Sequence, residues 1–160
     1  MSTQTQINMF SKNKINFGYR EEFDKRMLKA NKKYFMRALN SIQKQVHPNK
    51  KVTISLVILP DSIVKEMNKE YRGVDKATDV LSFPLGTEHK GVIDLGDVVV
   101  GKMKWRENCE ENGNTLEREL VFLFIHSLLH LVGHTHESDK NWKKMKKLEQ
   151  ELLSITKINI

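Results

Sequence analysis

The segment LVFLFIHSLLHLVGHTH, residues 120–136, is the most informative part of the sequence because it combines an almost continuous apolar run with four of the chain's six histidines. A helix that is apolar on nearly all sides belongs in a protein core, and this run is too short to span a bilayer. His126 and His130 are four residues apart and therefore share one helix face. Each unpaired nitrogen of a buried imidazole costs about 1–3 kcal/mol. A shared metal ion would remove that cost, so the stretch predicts a metal site at the end of a buried helix.

A third ligand must come from the residues after the helix. Gly133 permits a sharp turn, and both His134 and His136 follow it. The spacing H-x3-H-x2-G-x2-H is typical of metzincin metalloenzymes, in which the glycine turn returns the third histidine to the metal. This spacing predicts His126, His130 and His136 as the ligands. The alternative is a hydrogen-bonded pair of core histidines beside surface ones.

The ligand types bear on the metal and on the reaction. Three histidines with an open fourth position are typical of catalytic zinc, and we expect one Zn²⁺ ion, although imidazole also binds nickel, copper and iron. Zinc proteases carry a glutamate base directly after the first histidine, whereas this chain has Ser127. A three-histidine site can still generate hydroxide from bound water. The pattern favours a hydrolase other than a peptidase.

Strands and helices are mixed in the rest of the chain. Apolar, β-branched runs between turn residues predict strands, and apolar spacings of three and four predict helices. The expected strands are a first one formed by 7–10 and 14–18, followed by 51–59, 78–84 and 95–101. Pro84 is expected to end the third of these strands, and residues 86–91 are expected to form a loop. The expected helices are 20–46, Asp61 to Tyr71, a short one around Trp105, Asn114 to Leu131 or Val132, and one after Ser138.

Residues with capping chemistry mark the helix boundaries. Asp61 and Asn114 are predicted N-caps, with Glu117 completing a capping box, and Gly73 and Gly133 are predicted helix ends. Strands and helices do not alternate strictly. We therefore expect a single α+β domain over residues 1–160, in which a small mixed sheet packs against helices.

The charge of the chain is unevenly distributed. Residues 1–60 carry a net charge of +9 and residues 61–160 a net charge of −2. A basic half favours a polyanionic partner, with the basic face of the 20–46 helix as first candidate. A solvated lysine-rich surface is the alternative. Both interpretations also apply to the lysines of the last helix: Lys140, Lys143, Lys144, Lys146 and Lys147.

Two further features indicate a cytoplasmic protein. Cys109 is the only cysteine, which excludes an intramolecular disulfide and fits a reducing compartment. Residues 1–6 are polar and contain no apolar signal core, so we expect no export. His47 and His89 fall in predicted loops and are expected to be solvated.

Three motifs together resemble the YbeY family of bacterial single-strand endoribonucleases. HSLLHLVGHTH, residues 126–136, resembles the metal-binding signature His-Gly-x-Leu-His-Leu-x-Gly-Tyr-Asp-His. NKEYRGVDKATDVLSFPLG, residues 68–86, and DLGDVVV, residues 94–100, resemble two further segments of that family in the same order. The resemblance covers about residues 50–155. Ser127, His134 and Thr135 depart from the signature, but the three ligand histidines are intact.

The resemblance implies a zincin-like fold and a zinc-dependent RNA hydrolase of 16S rRNA 3′-end maturation and ribosome quality control. The implied partners are single-stranded rRNA and the ribosome (30S or 70S), with no membrane, and we expect a monomer. In this hypothesis a metal-bound hydroxide attacks an RNA phosphodiester. The other hypothesis is a non-catalytic, zinc-stabilised RNA-binding factor of ribosome assembly.

The resemblance also singles out individual residues outside the histidines. Arg72 matches the family's functionally important arginine, and a guanidinium can hold a phosphate and offset charge in the transition state. Its alternative role is to cap a helix. Asp79 is a candidate hydrogen-bond acceptor for a ligand histidine, or else a turn residue.

Overall fold

Four strands form one mixed sheet in the computed structural model, which describes residues 12–159. The strands are β1 (Lys14–Gly18), β2 (Lys51–Leu59), β3 (Val80–His89) and β4 (Val92–Gly101). Their order across the sheet is β1-β2-β4-β3, with β1 and β4 parallel to β2 and β3 antiparallel to β4. Residues 7–10, predicted as part of the first strand, lie outside the described residues.

Six helices pack with this sheet in residues 12–159. They are α1 (Glu22–Ala30), α2 (Lys32–Val46), α3 (Asp61–Arg72), α4 (Lys102–Asn112), α5 (Leu116–Leu131) and α6 (Asp139–Thr156). The mixed four-stranded sheet with its helices confirms the predicted α+β class. None of the described helices has the length and apolar character needed to cross a membrane.

Helix α5 lies at the centre of the core. It contacts β3, β4, α2, α4 and α6, which explains why the sequence is apolar around nearly its whole circumference. Phe124 is fully buried and packs edge-on against Phe35 of α2, with ring centroids 5.1 Å apart. Burying a side chain of this kind contributes about 1.5–3 kcal/mol. The core therefore fixes the position of the helix that carries His126 and His130.

Strand β2, one of the two inner strands of the sheet, forms where the apolar, β-branched run predicts a strand. Val52, Ile54, Leu56 and Ile58 are fully buried, while the residues between them are only partly buried. Successive side chains of a strand point to opposite faces, so β2 presents one apolar row to the core. Its bounds agree with the predicted 51–59.

The predicted continuous helix over residues 20–46 is wrong. The structure contains two helices, α1 and α2, separated at Asn31, whose backbone has φ −105° and ψ 6°. Asn31 is buried, and its Nδ2 donates to the carbonyl of Met27 at 2.8 Å. Asparagine side chains that bond to nearby backbone groups compete with helical hydrogen bonds. The apolar spacing continues across the break, which is why periodicity alone did not reveal it.

The predicted end of a strand at Pro84 and the predicted loop at 86–91 are also wrong. Strand β3 continues through Pro84 to His89 and pairs with β4 by a hairpin. Lys90 (φ 51°) and Gly91 (φ 77°) form the two-residue turn, as expected where both turn residues need positive φ. Because β3 is an edge strand, it tolerates a proline. His89 is exposed as predicted, but it ends a strand.

Two predicted N-caps differ in the structure. Asp61 is the first residue of α3, and its Oδ1 accepts from the amide of Met103 at 2.9 Å, so it satisfies the start of α4 instead. Thr115, not Asn114, caps α5, and its hydroxyl accepts from the amide of Arg118 at 3.1 Å. The cap therefore lies one residue later than the predicted capping box.

Candidate metal centre

The turn after α5 returns His136 to the two histidines of the helix. Gly133 has φ 99°, and the amides of Gly133 and His134 each donate at 3.0 Å to carbonyls in the last turns of α5. One ring nitrogen from each of His126, His130 and His136 lies within 4.8 Å of the other two. The structure therefore brings together the three residues that the spacing predicted, here called the histidine cluster.

Hydrogen bonds outside the cluster fix which nitrogen of each helical ring faces inward. His126 Nδ1 lies 2.7 Å from Oε1 of Glu149, and His130 Nδ1 lies 2.9 Å from the carbonyl oxygen of His134. A carbonyl oxygen only accepts, so His130 Nδ1 carries the proton, and Nε2 of the neutral ring keeps a free lone pair. An ionised carboxylate has the same effect on His126. The two Nε2 atoms lie 3.1 Å apart.

This arrangement fits a metal ion. Two lone pairs facing each other without a hydrogen atom between them repel, and a cation turns that repulsion into attraction. Tetrahedral zinc with Zn–N bonds of about 2.0–2.1 Å places two nitrogen ligands roughly 3.3 Å apart, close to the observed Nε2 separation. The three histidines can therefore hold a metal ion.

Electrostatics also favour the ligand form of His130. Its burial lowers the pKa of His130 below the ordinary value, and the neighbouring His126 and His136 lower it further, whereas the bond to the His134 carbonyl acts in the opposite direction. A histidine binds a metal ion in its neutral form. The lowered pKa therefore favours the neutral ring, which is the form that binds a metal ion.

Glu149 is the residue that sequence reasoning missed. It lies on α6, is only 5% exposed, and accepts the Nδ1 hydrogen bond of His126. A carboxylate behind a ligand histidine fixes the ring orientation and makes the ring a stronger ligand. Glu149 stands four residues after the buried Met145 and three before the buried Leu152. A carboxylate within that apolar stripe was the available signal.

Asp79 does not have the role considered for it. Its Oδ2 accepts from Asn108 Nδ2 at 2.9 Å and its Oδ1 from Thr78 Oγ1 at 3.3 Å, while its carbonyl accepts from the Gly101 amide at 2.8 Å. These bonds fix the backbone where β3 begins. The acceptor for His126 is Glu149 instead. Asp79 nevertheless lines a pocket beside the cluster.

Comparison with known proteins places the chain in a family. The family model described as Endoribonuclease YbeY matches residues 17–157. The chain belongs to the YbeY family. The match begins well before residue 50, so it is longer than the part covered by the three sequence motifs.

Individual YbeY relatives agree with this match. A protein of Clostridioides difficile named Endoribonuclease YbeY is 40% identical over 112 residues, covering 67% of this chain and 72% of the relative. One of Mycoplasmopsis pulmonis with the same name is 33% identical and covers 96% and 97%. The solution structure of TM1509 from Thermotoga maritima has a TM-score of 0.60 and 30% identity, covering 89% of this chain and 88% of that one.

The three departures from the YbeY signature leave the histidine cluster intact. Ser127 is fully buried, and its hydroxyl forms a hydrogen bond with the hydroxyl of Ser82 on β3. This bond connects α5 to the edge strand. His134 contributes its carbonyl to the site, while its ring lies outside the cluster. Thr135 accepts from the side chain of Asn141 at 3.4 Å, which links the turn to α6.

Arg72 is the last residue of α3 and is not part of the lining of the pocket that His126 and His136 line. Its side chain is exposed. The backbone closes the helix: Gly73 has φ 71°, and its amide donates to the carbonyl of Lys69 at 3.0 Å. The preceding Tyr71 packs edge-on against Phe83 of β3, with ring centroids 5.1 Å apart. The helix end thus has a cap without the guanidinium, and the catalytic role of Arg72 stays a prediction.

Proposed function

We propose that this protein is a metal-dependent endoribonuclease in which His126, His130 and His136 hold the metal ion. Its membership in the YbeY family, whose relatives bear that activity in their names, supports the class of reaction. The observation that carries the proposal is the pair of Nε2 atoms 3.1 Å apart, each with its Nδ1 bonded outward. That arrangement is unfavourable without a cation and favourable with one.

Zinc is the proposed metal, because neutral imidazoles with an open coordination position are typical of catalytic zinc sites. When bound, such an ion lowers the pKa of water and polarises a phosphoryl oxygen. The chain's own residues do the rest. Glu149 and the His134 carbonyl hold the two helical rings in their ligand tautomer, and the Gly133 turn sets the position of His136.

Arg72 is the proposed phosphate-binding residue of the reaction. Its exposed guanidinium can form a bidentate contact with a phosphodiester, and such a contact can stabilise negative charge that develops on phosphorus. The backbone cap at Gly73 supports this role because the arginine is not needed to end α3. Tyr71, anchored on Phe83, would limit the movement of the helix end that carries Arg72.

The proposed substrate is single-stranded ribosomal RNA in the cytoplasm, at the 3′ end of 16S rRNA on the ribosome. A groove of about 430 Å³ along β1 and α2 supports a polyanionic substrate. Among residues 12–159, lysine ammonium groups line it and no carboxylate does. We call it the lysine groove; its lysines are Lys12, Lys14, Lys32, Lys44 and Lys51. Such a groove attracts the RNA backbone without reading its sequence.

The test is an RNA cleavage assay with and without a chelator, together with elemental analysis of the purified protein. We expect the wild type to contain one equivalent of metal and to cleave single-stranded RNA until the chelator removes it. His130→Ala should lose both the metal and the cleavage. His89→Ala, the same change at an exposed histidine outside the cluster, should retain both.

Two results would overturn the proposal. Cleavage that survives complete metal removal would show that the histidine cluster is not the active site. A wild type that binds zinc but never cleaves RNA, with His130→Ala only lowering thermal stability, would establish the non-catalytic assembly factor instead.

A further inference from the structure

A pocket of about 190 Å³ opens directly beside the histidine cluster. His126 and His136 form part of its lining, so it is continuous with the proposed metal centre. Two aromatic side chains, Phe122 and Trp142, and the exposed Lys146 line it as well. Neither the metal site nor the proposed reaction uses these three side chains.

Trp142 is the least expected member of this lining. It lies in the first turn of α6 and is 49% exposed, whereas Trp105, the other tryptophan, is fully buried and donates its indole N–H to the carbonyl of Leu116 at 3.0 Å. Tryptophan is enriched at binding interfaces, because its ring offers a large apolar face beside a polar N–H group. In proteins that bind single-stranded RNA, such rings stack against unpaired bases.

The chemistry of the pocket selects a base over a phosphate as its occupant. The carboxylates of Asp79 and Glu149 are part of the lining, and they repel an anion. The volume is below the range of about 300–1,000 Å³ that is usual for drug-sized ligands, so the pocket suits one ring system better than a whole nucleotide. The aromatic and apolar walls offer the stacking surface that such a ring needs.

Lys146 complements this occupant. Its ammonium lies 4.9 Å from the centroid of the Trp142 ring, and the side chain is exposed at the mouth of the pocket. A base that stacks inside would leave its phosphate outside, near this ammonium. In this arrangement Trp142 would contact the base, and Lys146 would contact the phosphate of the RNA backbone.

We propose that the pocket is a subsite for one nucleobase of the RNA strand, adjacent to the phosphodiester that is cleaved. Trp142 is its stacking surface and Lys146 its phosphate contact. This proposal rests on the proposed function, since it assigns the substrate strand a path past the histidine cluster.

Tryptophan fluorescence of the metal-loaded protein provides a direct test. The compounds to add are AMP and CMP, which contain no phosphodiester to cleave, and ribose 5-phosphate, which lacks the base. We expect both nucleotides to quench the fluorescence and ribose 5-phosphate to have no effect. Trp142→Phe should abolish the quenching, because the remaining Trp105 is buried. Quenching that persists in Trp142→Phe, or that ribose 5-phosphate reproduces, would overturn the subsite.

A second measurement uses the Michaelis constant for a short single-stranded RNA. Removing a stacked ring weakens binding of a base by roughly 5- to 150-fold, so Trp142→Ala should raise KM within that range with little change in kcat. Trp142→Phe should stay close to wild type because it retains a ring. Ile155→Ala, which removes another exposed apolar side chain of α6 (42% exposed), is the matched control.

These outcomes separate the subsite from the proposed function. An unchanged KM in Trp142→Ala, with metal-dependent cleavage present, rejects the subsite and leaves the nuclease intact. Base-dependent quenching in a protein that never cleaves RNA supports the subsite as an RNA-binding pocket and rejects the nuclease.

Discussion

The histidine cluster and the lysine groove are built from different interactions at opposite edges of the sheet. The cluster belongs to α5, which packs against the edge strand β3, whereas the groove follows β1 at the other edge. In the cluster, every helical ring has a specific hydrogen-bond partner that sets its orientation. In the groove, the cations lie on exposed or partly buried side chains.

Because the two regions are built differently, we expect them to respond differently to mutation. A metal centre depends on distances and tautomers, so one altered hydrogen bond changes its affinity. A backbone-binding groove depends on summed charge, so each lysine contributes a small, salt-sensitive share. Mutations in the histidine cluster should therefore have large effects on metal binding and activity, whereas mutations in the lysine groove should have small, additive effects on RNA binding.

Replacing Arg72 should produce the largest effect, because the proposed contact to the scissile phosphate depends on the position of one guanidinium. Removing one preorganised contact to transition-state charge lowers kcat by about 10²–10³. We expect Arg72→Ala to lose turnover in this range while its metal content and melting temperature stay at wild-type values. The measurement is single-turnover cleavage of RNA. Lys69→Ala, which removes another exposed cation of the same helical turn, is the control. If Arg72→Ala unfolds the protein, the residue is structural.

Replacing Glu149 tests the orientation of His126. We expect Glu149→Ala to weaken metal binding by about 10- to 100-fold, measured by competition with a chromogenic chelator. Glu149→Gln should recover part of that loss because its amide oxygen can still accept from Nδ1. Glu151→Ala, at an exposed glutamate of α6, should bind metal as the wild type does. Equal affinities in all four proteins would remove Glu149 from the site.

Neutralising two cations of the lysine groove should weaken RNA binding modestly and should reduce its dependence on salt concentration. Each phosphate contact to a single strand contributes about 0.7 to the slope of log K against log salt. The double variant Lys32→Gln, Lys44→Gln should lower that slope by roughly 1.4 and leave kcat unchanged. Lys90→Gln with Lys104→Gln makes the same charge change elsewhere and should preserve the slope. A loss of kcat in the first pair would mean that the groove and the cluster are not independent.

The smallest expected effect is on the alkylation rate of Cys109. This rate tests whether the variants keep their fold. Burial, and then the charges of Glu119 and Glu117, raise the pKa of the Cys109 thiol to about 11. At about pH 8 the native protein therefore contains roughly two orders of magnitude less thiolate than an ordinary cysteine. Alkylation should be slow in the wild type and equally slow in every variant above, and fast only after unfolding. Rapid labelling of one variant would trace its defect to lost packing.

Features that depend on neighbours along the chain could be predicted from the sequence. The i, i+4 spacing of His126 and His130, the left-handed turn at Gly133 and the alternation in β2 are all local, because helix and strand geometry fix which nearby side chains share a face. The apolar runs and helical spacings were sufficient for the α+β class, and the H-x3-H-x2-G-x2-H spacing typical of metzincins selected His136 over His134.

Interactions between residues far apart in the chain could not be predicted from the sequence and are visible in the folded protein alone. Glu149 meets His126 across 23 positions, Ser82 meets Ser127 across 45, and Asp61 satisfies the start of a helix other than its own. A side-chain hydrogen bond between distant residues produces no periodic pattern in the sequence. The position of β3 at the edge of the sheet, which lets it contain Pro84, is likewise not visible in the sequence. The pocket beside the cluster exists only because α5 and α6 pack together, since their packing brings Phe122 and Trp142 to one cavity.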